Sequence, residues 1–567
     1  MRTRSRLIWL VSAVLCLCSL IAPAFAEGAQ PSHDPSEGMG LKIAMLLVFF
    51  GVMIGVGVYC RKNATDVKGF VLGGRSVGPW LTAFAYGTSY FSAVIFVGYA
   101  GQFGWRFGVA STWIGLGNAV IGSLMAWVIL GRRTRIMTQH LRSATMPDFF
   151  EKRFSAPALK VIASVIIFIF LIPYTASLYN GLSRLFEMAF GLPYIWCVIV
   201  MSVLTGIYVI AGGYMATAIN DFIQGIIMIG GIIAVIAAVL NQNGGLQGSL
   251  NALAMVNDPT LAGGAGEVPG IFASFLGPDP LFLLGVVILT SLGTWGLPQM
   301  VGKFYAIKSE GDIHKGTVIS TVFAVIVAGG CYFLGGFGRL FSADVGVGAA
   351  GGSPVGGFDA VIPAMLSNLP TILIAVVLIL VLSASMSTLS SLVLTSSSTV
   401  TLDLLKDRVI KNMSEKKQLL VMRALIVVFI AVSAVIAIVQ VNSPVAFIAQ
   451  AMGVSWGAMA GAFLAPFLYG LYWKRTTKAS CIVSFLFSSV FMTLAMFINL
   501  GVLPNFLGTL NNPIYAGAFC MLIGLVIVPA VSLLTPKPDK ALVENVFSCY
   551  NKKVTVPMTE ALGDGEQ

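Results

Sequence analysis

A dense run of hydroxyl side chains is the feature of this sequence that most directly indicates chemistry. Residues 383–401 read SASMSTLSSLVLTSSSTVT, with twelve Ser or Thr in nineteen positions and no charged residue. Hydroxyls in an apolar segment are costly unless they find partners. A helix places Ala384, Ser387, Thr388 and Ser391 on one stripe, since they are spaced i, i+3, i+4 and i+7. Neutral oxygens on one stripe suit a small hard cation, so the segment indicates an ion site.

A second segment contains helix-breaking residues within an apolar run. Residues 78–104 read GPWLTAFAYGTSYFSAVIFVGYAGQFG and are interrupted near the middle by Gly87, Thr88, Ser89 and Ser92. A helix that unwinds inside a membrane frees carbonyl groups, which are tolerated where they line a cavity or bind a ligand. Transporters use such carbonyls to coordinate sodium. Close packing of small residues between helices is the alternative explanation, and the break alone does not decide between the two.

The composition defines the class of protein that positions these segments. The chain is 57% hydrophobic and only 10% charged, with a mean hydropathy of +0.90, whereas soluble domains carry about 25% charged residues. The sequence therefore predicts an all-α polytopic membrane protein. Its net charge of +11 comes largely from short loops between apolar segments, which favours membrane orientation over nucleic-acid binding. The six Cys that follow the N-terminal signal show no paired spacing, so neither a disulfide framework nor a metal site is indicated.

The apolar segments predict thirteen membrane-spanning helices after an N-terminal signal. Residues 1–26 are predicted to be a signal peptide, with an uncleaved anchor as the alternative, because three Arg precede a short apolar run and Ala24-Phe25-Ala26. A periplasmic segment, 27–41, follows, and then a first helix, 42–60. Lys and Arg concentrate in 61–78, 131–160, 299–315, 402–423, 472–478 and the tail 535–567. These parts are predicted to be cytoplasmic, with the mature N-terminus outside.

Four motifs in order along the chain resemble the sodium/solute symporter family, especially its proline and pantothenate branch. They cover roughly residues 42–480 and comprise Gly73-Gly74-Arg75-Ser76-Val77-Gly78-Pro79 with Gly87-x-Ser89-x-x-Ser92; Thr145-Met146-Pro147-Asp148 continuing to Phe154; Gly212-Gly213-x-x-Ala216 with Asp221-x-x-Gln224; and Ala384-x-x-Ser387-Thr388. The resemblance implies a LeuT-like core of two inverted five-helix repeats, 79–240 (spans 2–6) and 278–470 (spans 7–11). Two further spans, within 479–534, follow the core.

The resemblance also implies where sodium binds. One ion is expected between the break in span 2 and span 9, held by the carbonyls of Thr88, Phe91 and Ala384 and the hydroxyls of Ser387 and Thr388. Some family members hold a second ion, and the matching positions here are Asp221, Ser387, Ser390 and Ser391. The alternative for Asp221 is that it caps or positions a helix near water.

The substrate is expected near the middle of the membrane, between the repeats. Each candidate can equally be a packing residue; they are Ser89, Tyr90, Ser92, Ile95, Trp113, Asn118, Thr294, Trp295, Gln299 and Gln450. Tyr90 stands where similar proline carriers have Asp, and Ile95 stands where sugar carriers have a polar residue. These differences favour a small organic acid or amino acid over a sugar.

The sequence as a whole predicts a sodium-coupled importer in the bacterial inner membrane. Its expected partners are a small-molecule substrate and the lipid bilayer, with no nucleic acid, and the chain is expected to act as a monomer and not as an enzyme. A receptor of the same fold would need an output domain, for which the tail is too short. Coupling to protons is the other alternative, but proton relays use Asp, Glu or His within the membrane, and span 2 has none.

Overall fold

The described part of the chain is built from helices joined by short loops. The computed structural model describes residues 38–258, 261, 267–346, 352, 354, 357–367, 369–406, 408–440 and 448–551. The predicted signal peptide 1–26 lies outside these residues, as does nearly all of the segment 27–41. Within the described residues the β-structure consists of isolated bridges, among them Val77 with Ile307 and Lys406 with Ile410.

The helices of the first half are α1 Met39–Cys60, α2 Val67–Leu72, α3 Pro79–Thr88, α4 Ala100–Phe107, α5 Thr112–Gly117, α6 Arg132–His140, α7 Met146–Phe154, α8 Pro157–Phe190, α9 Tyr194–Asn241 and α10 Gly245–Ala254. Those of the second half are α11 Pro280–Gly296, α12 Pro298–Ala306, α13 Glu310–Ala324, α14 Gly330–Gly335, α15 Ser342–Val345, α16 Val361–Ser367, α17 Thr371–Thr399, α18 Glu415–Gln440, α19 Ile448–Tyr472, α20 Lys478–Asn499, α21 Pro513–Leu534 and α22 Lys540–Phe547. Turns of π-helix continue several of them, including Val94–Tyr99 before α4 and Val400–Leu405 after α17.

Many of these helices can cross a membrane, which confirms the predicted class of all-helical membrane protein. Among the described residues, ten helical stretches are long and apolar enough to do so, and α11 with α12 forms an eleventh that bends by 44°. Two of the ten are more than twice as long as one crossing requires, because about 20 residues span the hydrocarbon core. They are Val94–His140 with 47 residues and α9 with 48. Both are interrupted by a glycine with positive φ, Gly108 (φ 63°, ψ −144°) and Gly213 (φ 56°, ψ −152°).

Two membrane helices are broken near their middle. Helix α3 ends at Thr88 and the next helical turn begins at Val94, which confirms the interruption predicted in span 2. A second break, at Leu297 between α11 and α12, was not predicted. The prediction that residues 299–315 form a cytoplasmic loop is therefore wrong for their first part. Because α12 continues the broken span, its Lys303 is buried, with only 3% of its surface exposed.

The hydroxyl-rich helix α17 lies at the centre of the helix bundle. In the most apolar 18 residues of Thr371–Leu405, 94% of the residues are buried inside the protein, whereas the same share in α1 is 28%. Helix α17 contacts α3, α8 and α9. Several of its hydroxyls hydrogen-bond within the helix, such as Ser390 Oγ to Ser387 O (2.9 Å), and such local bonds keep polar groups satisfied in an apolar interior. This central position brings the hydroxyl stripe against the break after α3.

Candidate functional site

The five oxygens predicted to bind the first sodium ion lie together where α17 meets the end of α3. Thr388 Oγ1 lies 3.0 Å from Thr88 O, 3.2 Å from Phe91 O and 3.1 Å from Ala384 O. Ser387 Oγ lies 3.1 Å from both Thr88 O and Ala384 O. All five residues are buried. The break supplies the carbonyls of Thr88 and Phe91, and α17 supplies the other three oxygens.

This cluster has more acceptors than protons to satisfy them. Five oxygen–oxygen contacts fall within hydrogen-bonding distance, but the hydroxyls of Ser387 and Thr388 carry only one proton each. Buried oxygens that cannot all be hydrogen-bonded are costly, and a cation among them removes that cost. The ligands are uncharged oxygens, the donor type that hard cations prefer. The geometry therefore suits a hard monovalent cation, and the residues present fit sodium.

Two of the four residues predicted for a second ion, Asp221 and Ser391, contact a lysine. Asp221 is fully buried in the interior of α9, so it does not cap that helix or face water. Lys303 Nζ lies 3.7 Å from Asp221 Oδ2 and donates a hydrogen bond to Ser391 Oγ at 3.0 Å. Ser391 Oγ in turn lies 2.8 Å from Ser89 Oγ. Lys303 is not identifiable as a site residue without the helix break before it, and that break was not predicted from the sequence. Gly296-Leu297-Pro298 is nevertheless a typical signal for a helix break.

Three of the predicted substrate residues line one narrow cavity. Tyr90, Asn118 and Thr294 share it with Tyr86, Gly122 and Ser123 among others, and its volume is about 10 Å³. That is room for about one water molecule. The cavity lies beside the break, because Gly87 and Tyr90 belong to its wall. In this conformation the candidate substrate site is closed.

The other candidates lie around this cavity or away from it. Ser89 contacts Ser391 and Ser92 Oγ accepts a bond from Val94 N, while the Ile95 carbonyl accepts from Cys331. Trp295 donates to Ile121 O. The structure does not bring Trp113 to this group: its indole donates to Phe275 O in the loop before α11. Gln299 lines a different cavity, and Gln450 is half-buried in the first turn of α19.

Polar groups with poorly satisfied hydrogen bonds lie beside the closed cavity. In the described part of the chain, the buried atoms there that make no hydrogen bond of good geometry include Tyr90 OH, Asn118 Nδ2, Tyr174 OH, Tyr332 OH and Trp456 Nε1. The Trp456 ring centroid lies 6.0 Å from those of both Tyr90 and Tyr174. Asn118 lies beside the hydroxyls of Tyr90 and Tyr332. Each unsatisfied buried group costs about 1–3 kcal/mol, so the cluster suits a ligand that offers oxygen acceptors.

Two adjoining cavities lie on the side of the bundle that holds Lys303. A cavity of about 50 Å³ is lined by Gln299, Lys303 and Ser391, and a second of about 920 Å³ by charged residues. Ala144 and Thr145 belong to the walls of both. In the larger cavity one ammonium, Lys160 Nζ, lies within salt-bridge distance of three carboxylates, Glu151 (3.0 Å), Asp148 (3.2 Å) and Asp403 (3.5 Å).

Two ion pairs lie near the N-terminal end of α11. Arg339 Nη2 lies 2.9 Å from Asp258 Oδ2, with both side chains buried, and its guanidinium stacks 3.9 Å from the centroid of the Phe272 ring. Burial lowers the pKa of Arg339, and Asp258 opposes that shift. Nearby, Arg106 pairs with Asp279 at 2.7 Å. These contacts fix the segment that precedes α11 over α4.

Comparisons with known proteins identify the family and the fold. The family model described as "Sodium:solute symporter family" matches residues 70–487. The chain is 30% identical over 461 residues to a sodium/proline symporter of Staphylococcus aureus (77% of this chain, 82% of the relative). It is 28% identical over 507 residues to the osmoregulated proline transporter OpuE of Bacillus subtilis (89% and 97%). A solved Na⁺-coupled sialic acid symporter has a similar fold, with a TM-score of 0.67 at 16% identity, covering 88% of this chain and 99% of that one.

Proposed function

Because this chain belongs to the sodium:solute symporter family, we propose that it imports a small organic solute together with sodium by alternating access. The observation that carries the proposal is the cluster of five buried oxygens at Thr88, Phe91, Ala384, Ser387 and Thr388. An ion there touches both the break after α3 and the central helix α17. Its binding can therefore favour one arrangement of these elements over another, and differential binding of that kind shifts a conformational equilibrium.

The proposed topology has thirteen spans in the bacterial inner membrane. Dividing Val94–His140 at Gly108 and α9 at Gly213, and taking the two broken helices as spans 2 and 7, supports that number. Spans 2 and 7 then begin the two proposed inverted repeats, 79–240 and 278–470, and each begins with a broken helix. The N-terminus lies outside and the C-terminus in the cytoplasm. Both proposed sites are built from residues of one chain, and the chain is proposed to function as a monomer.

The proposed substrate is a small organic acid or amino acid. Beside the closed cavity at Tyr90 lie hydrogen-bond donors, including Asn118 Nδ2 and Trp456 Nε1, that make no hydrogen bond of good geometry among the described residues. A carboxylate offers two oxygens that accept several such bonds. Sodium entry supplies the driving force, since one charge moving across the membrane contributes about 2.3 kcal/mol per 100 mV. A tenfold sodium gradient adds about 1.4 kcal/mol.

The double variant Ser387→Ala/Thr388→Ala tests the sodium site. Alanine keeps the helix propensity of α17 and removes two of the five ligand oxygens. We expect the variant to lose sodium-driven accumulation and at least tenfold in sodium affinity, as measured by ²²Na⁺ binding to purified protein. Candidate substrates can be found by a sodium-dependent thermal-shift screen, because a ligand at a hundred times its Kd stabilises by about 2.7 kcal/mol.

The matched control is Ser396→Ala/Ser397→Ala, which removes two buried hydroxyls from the same helix outside the oxygen cluster. We expect this control to bind sodium like the wild type and to reach the membrane in equal amount. Wild-type sodium affinity in the Ser387→Ala/Thr388→Ala variant would exclude the site. Uptake that follows a proton gradient and ignores sodium would favour the proton-coupled alternative.

A further inference from the structure

Lys303 and Asp221 form an ion pair in the interior of the membrane domain. The side chains are 4% and 0% exposed, and the ammonium lies 3.7 Å from the carboxylate. Lys303 is on α12, after the break at Leu297, whereas Asp221 is on α9. Among the described residues, Lys303 is the only one that forms a salt bridge with Asp221. Neither oxygen of the Asp221 carboxylate accepts a hydrogen bond of good geometry from these residues. The Asp221 charge is therefore compensated mainly by this ammonium.

The ammonium lies where a second sodium ion would have to bind. Of the four residues expected to hold such an ion, Asp221 supplies the only charge and Ser391 supplies a hydroxyl. Lys303 Nζ contacts both, at 3.7 Å and 3.0 Å. The remaining two point elsewhere: Ser387 belongs to the first cluster, and Ser390 donates to the Ser387 carbonyl. A sodium ion between Asp221 and Ser391 would share its space with the ammonium.

Charge balance argues in the same direction. Lys303 with Asp221 is neutral as a pair, so an added sodium ion would leave a net positive charge in a buried site, where uncompensated charge is strongly unfavourable. Ser391 is one helical turn from Ser387, about 6 Å along the axis of α17. A second free cation would therefore also be repelled by an ion at the first site. Without the ammonium, Asp221 would need another cation.

We propose that the Lys303 ammonium acts as a built-in cation in place of a second sodium ion, so that one sodium ion is bound in each transport cycle. The proposal rests on the proposed sodium-coupled function. Because the ammonium is tethered to α12, it neutralises Asp221 without crossing the membrane. It thus fixes the sodium stoichiometry of the carrier.

Counting bound sodium on purified full-length protein tests this directly. With ²²Na⁺ as the probe, we expect the wild type to bind one ion per chain with a Hill coefficient near one. Lys303→Met keeps the apolar stem and removes the charge, so we expect a second ion per chain and a Hill coefficient that rises toward two. Lys303→Met/Asp221→Asn should return both values to one. Lys308→Met, which removes an exposed lysine nearby, should match the wild type.

Each outcome separates this proposal from the proposed function. Two sodium ions bound per wild-type chain would overturn the proposal on Lys303, even if Lys303→Met fails to fold. A folded Lys303→Met protein that still binds one ion would also overturn it. A merely structural ion pair would change stability in these variants but not the number of ions bound. Failure of the sodium-coupled function itself has a different signature, which is no sodium binding by the wild type or unchanged binding after Ser387→Ala/Thr388→Ala.

Discussion

Individual residues of the proposed sodium site could be predicted to different degrees. The hydroxyls of Ser387 and Thr388 were identifiable because their spacing on a helix is visible in the sequence. The carbonyls of Thr88 and Phe91 were expected through the resemblance, since backbone oxygens have no sequence signature of their own. Lys303 could not be recognised as a buried cation, because its partner Asp221 is far away along the chain and only the fold brings them together.

Tyr90 carries a prediction at the same scale. Its buried hydroxyl lacks a partner beside the closed cavity, so we expect it to donate to the bound substrate. A hydrogen bond to a charged group contributes about 1.5–3 kcal/mol, and Tyr90→Phe should therefore weaken substrate binding roughly 10- to 100-fold. Sodium affinity without substrate should remain unchanged. Both affinities can be measured on purified protein, by calorimetry for substrate and by ²²Na⁺ binding for the ion.

Tyr179→Phe is the control for this change. Tyr179 is also a buried tyrosine whose hydroxyl makes no hydrogen bond of good geometry among the described residues, and it does not line the closed cavity. An equal loss of substrate affinity in both variants would show that the effect comes from packing. Substrate affinity unchanged by Tyr90→Phe would remove Tyr90 from the substrate site.

At the scale of helices, apolar segments were easier to predict than the points where they bend. The break after Thr88 had a visible cause in the run of Gly, Thr and Ser. The break at Leu297 was missed because the apolar segment was taken to end at Pro298, and this placed Lys303 in a loop. The turns at Gly108 and Gly213 fall between predicted spans and agree with that prediction, but the backbone angles of the two glycines become evident only in three dimensions.

Gly108 gives a prediction about stability. Its φ of 63° is unfavourable for other residues, and a Cβ there would lie 1.9 Å from Phe272 O. We expect Gly108→Ala to lower the free energy of unfolding by about 1–3 kcal/mol or more, the usual cost of a strained backbone, and to lower the Tm of the detergent-solubilised protein. Gly51→Ala is the control, because its Cβ would meet nothing within 4 Å in α1. Equal melting temperatures for the two variants would contradict a required turn at Gly108.

At the scale of the whole molecule, the orientation in the membrane is the main remaining prediction. It rests on the distribution of Lys and Arg, and the large cavity with Lys160, Asp148 and Asp403 lies on the side proposed to be cytoplasmic. A reporter enzyme fused after Lys417 should be active in the cytoplasm, and one fused near Gly352 should be active outside. The reverse pattern would mean that both repeats have the opposite orientation in the membrane, so that the large cavity with Lys160 would lie on the periplasmic side.

The small volume of the closed cavity beside Tyr90 has a consequence for how cargo is selected. A solute that enters a space the size of one water molecule must separate the surrounding helices, so part of its interaction energy is used for that rearrangement and does not appear as affinity. Ligand searches by shape complementarity against this conformation would therefore reject genuine cargo. Inhibitors would form a separate chemical class, comprising molecules that wedge the helices apart and prevent them from closing again.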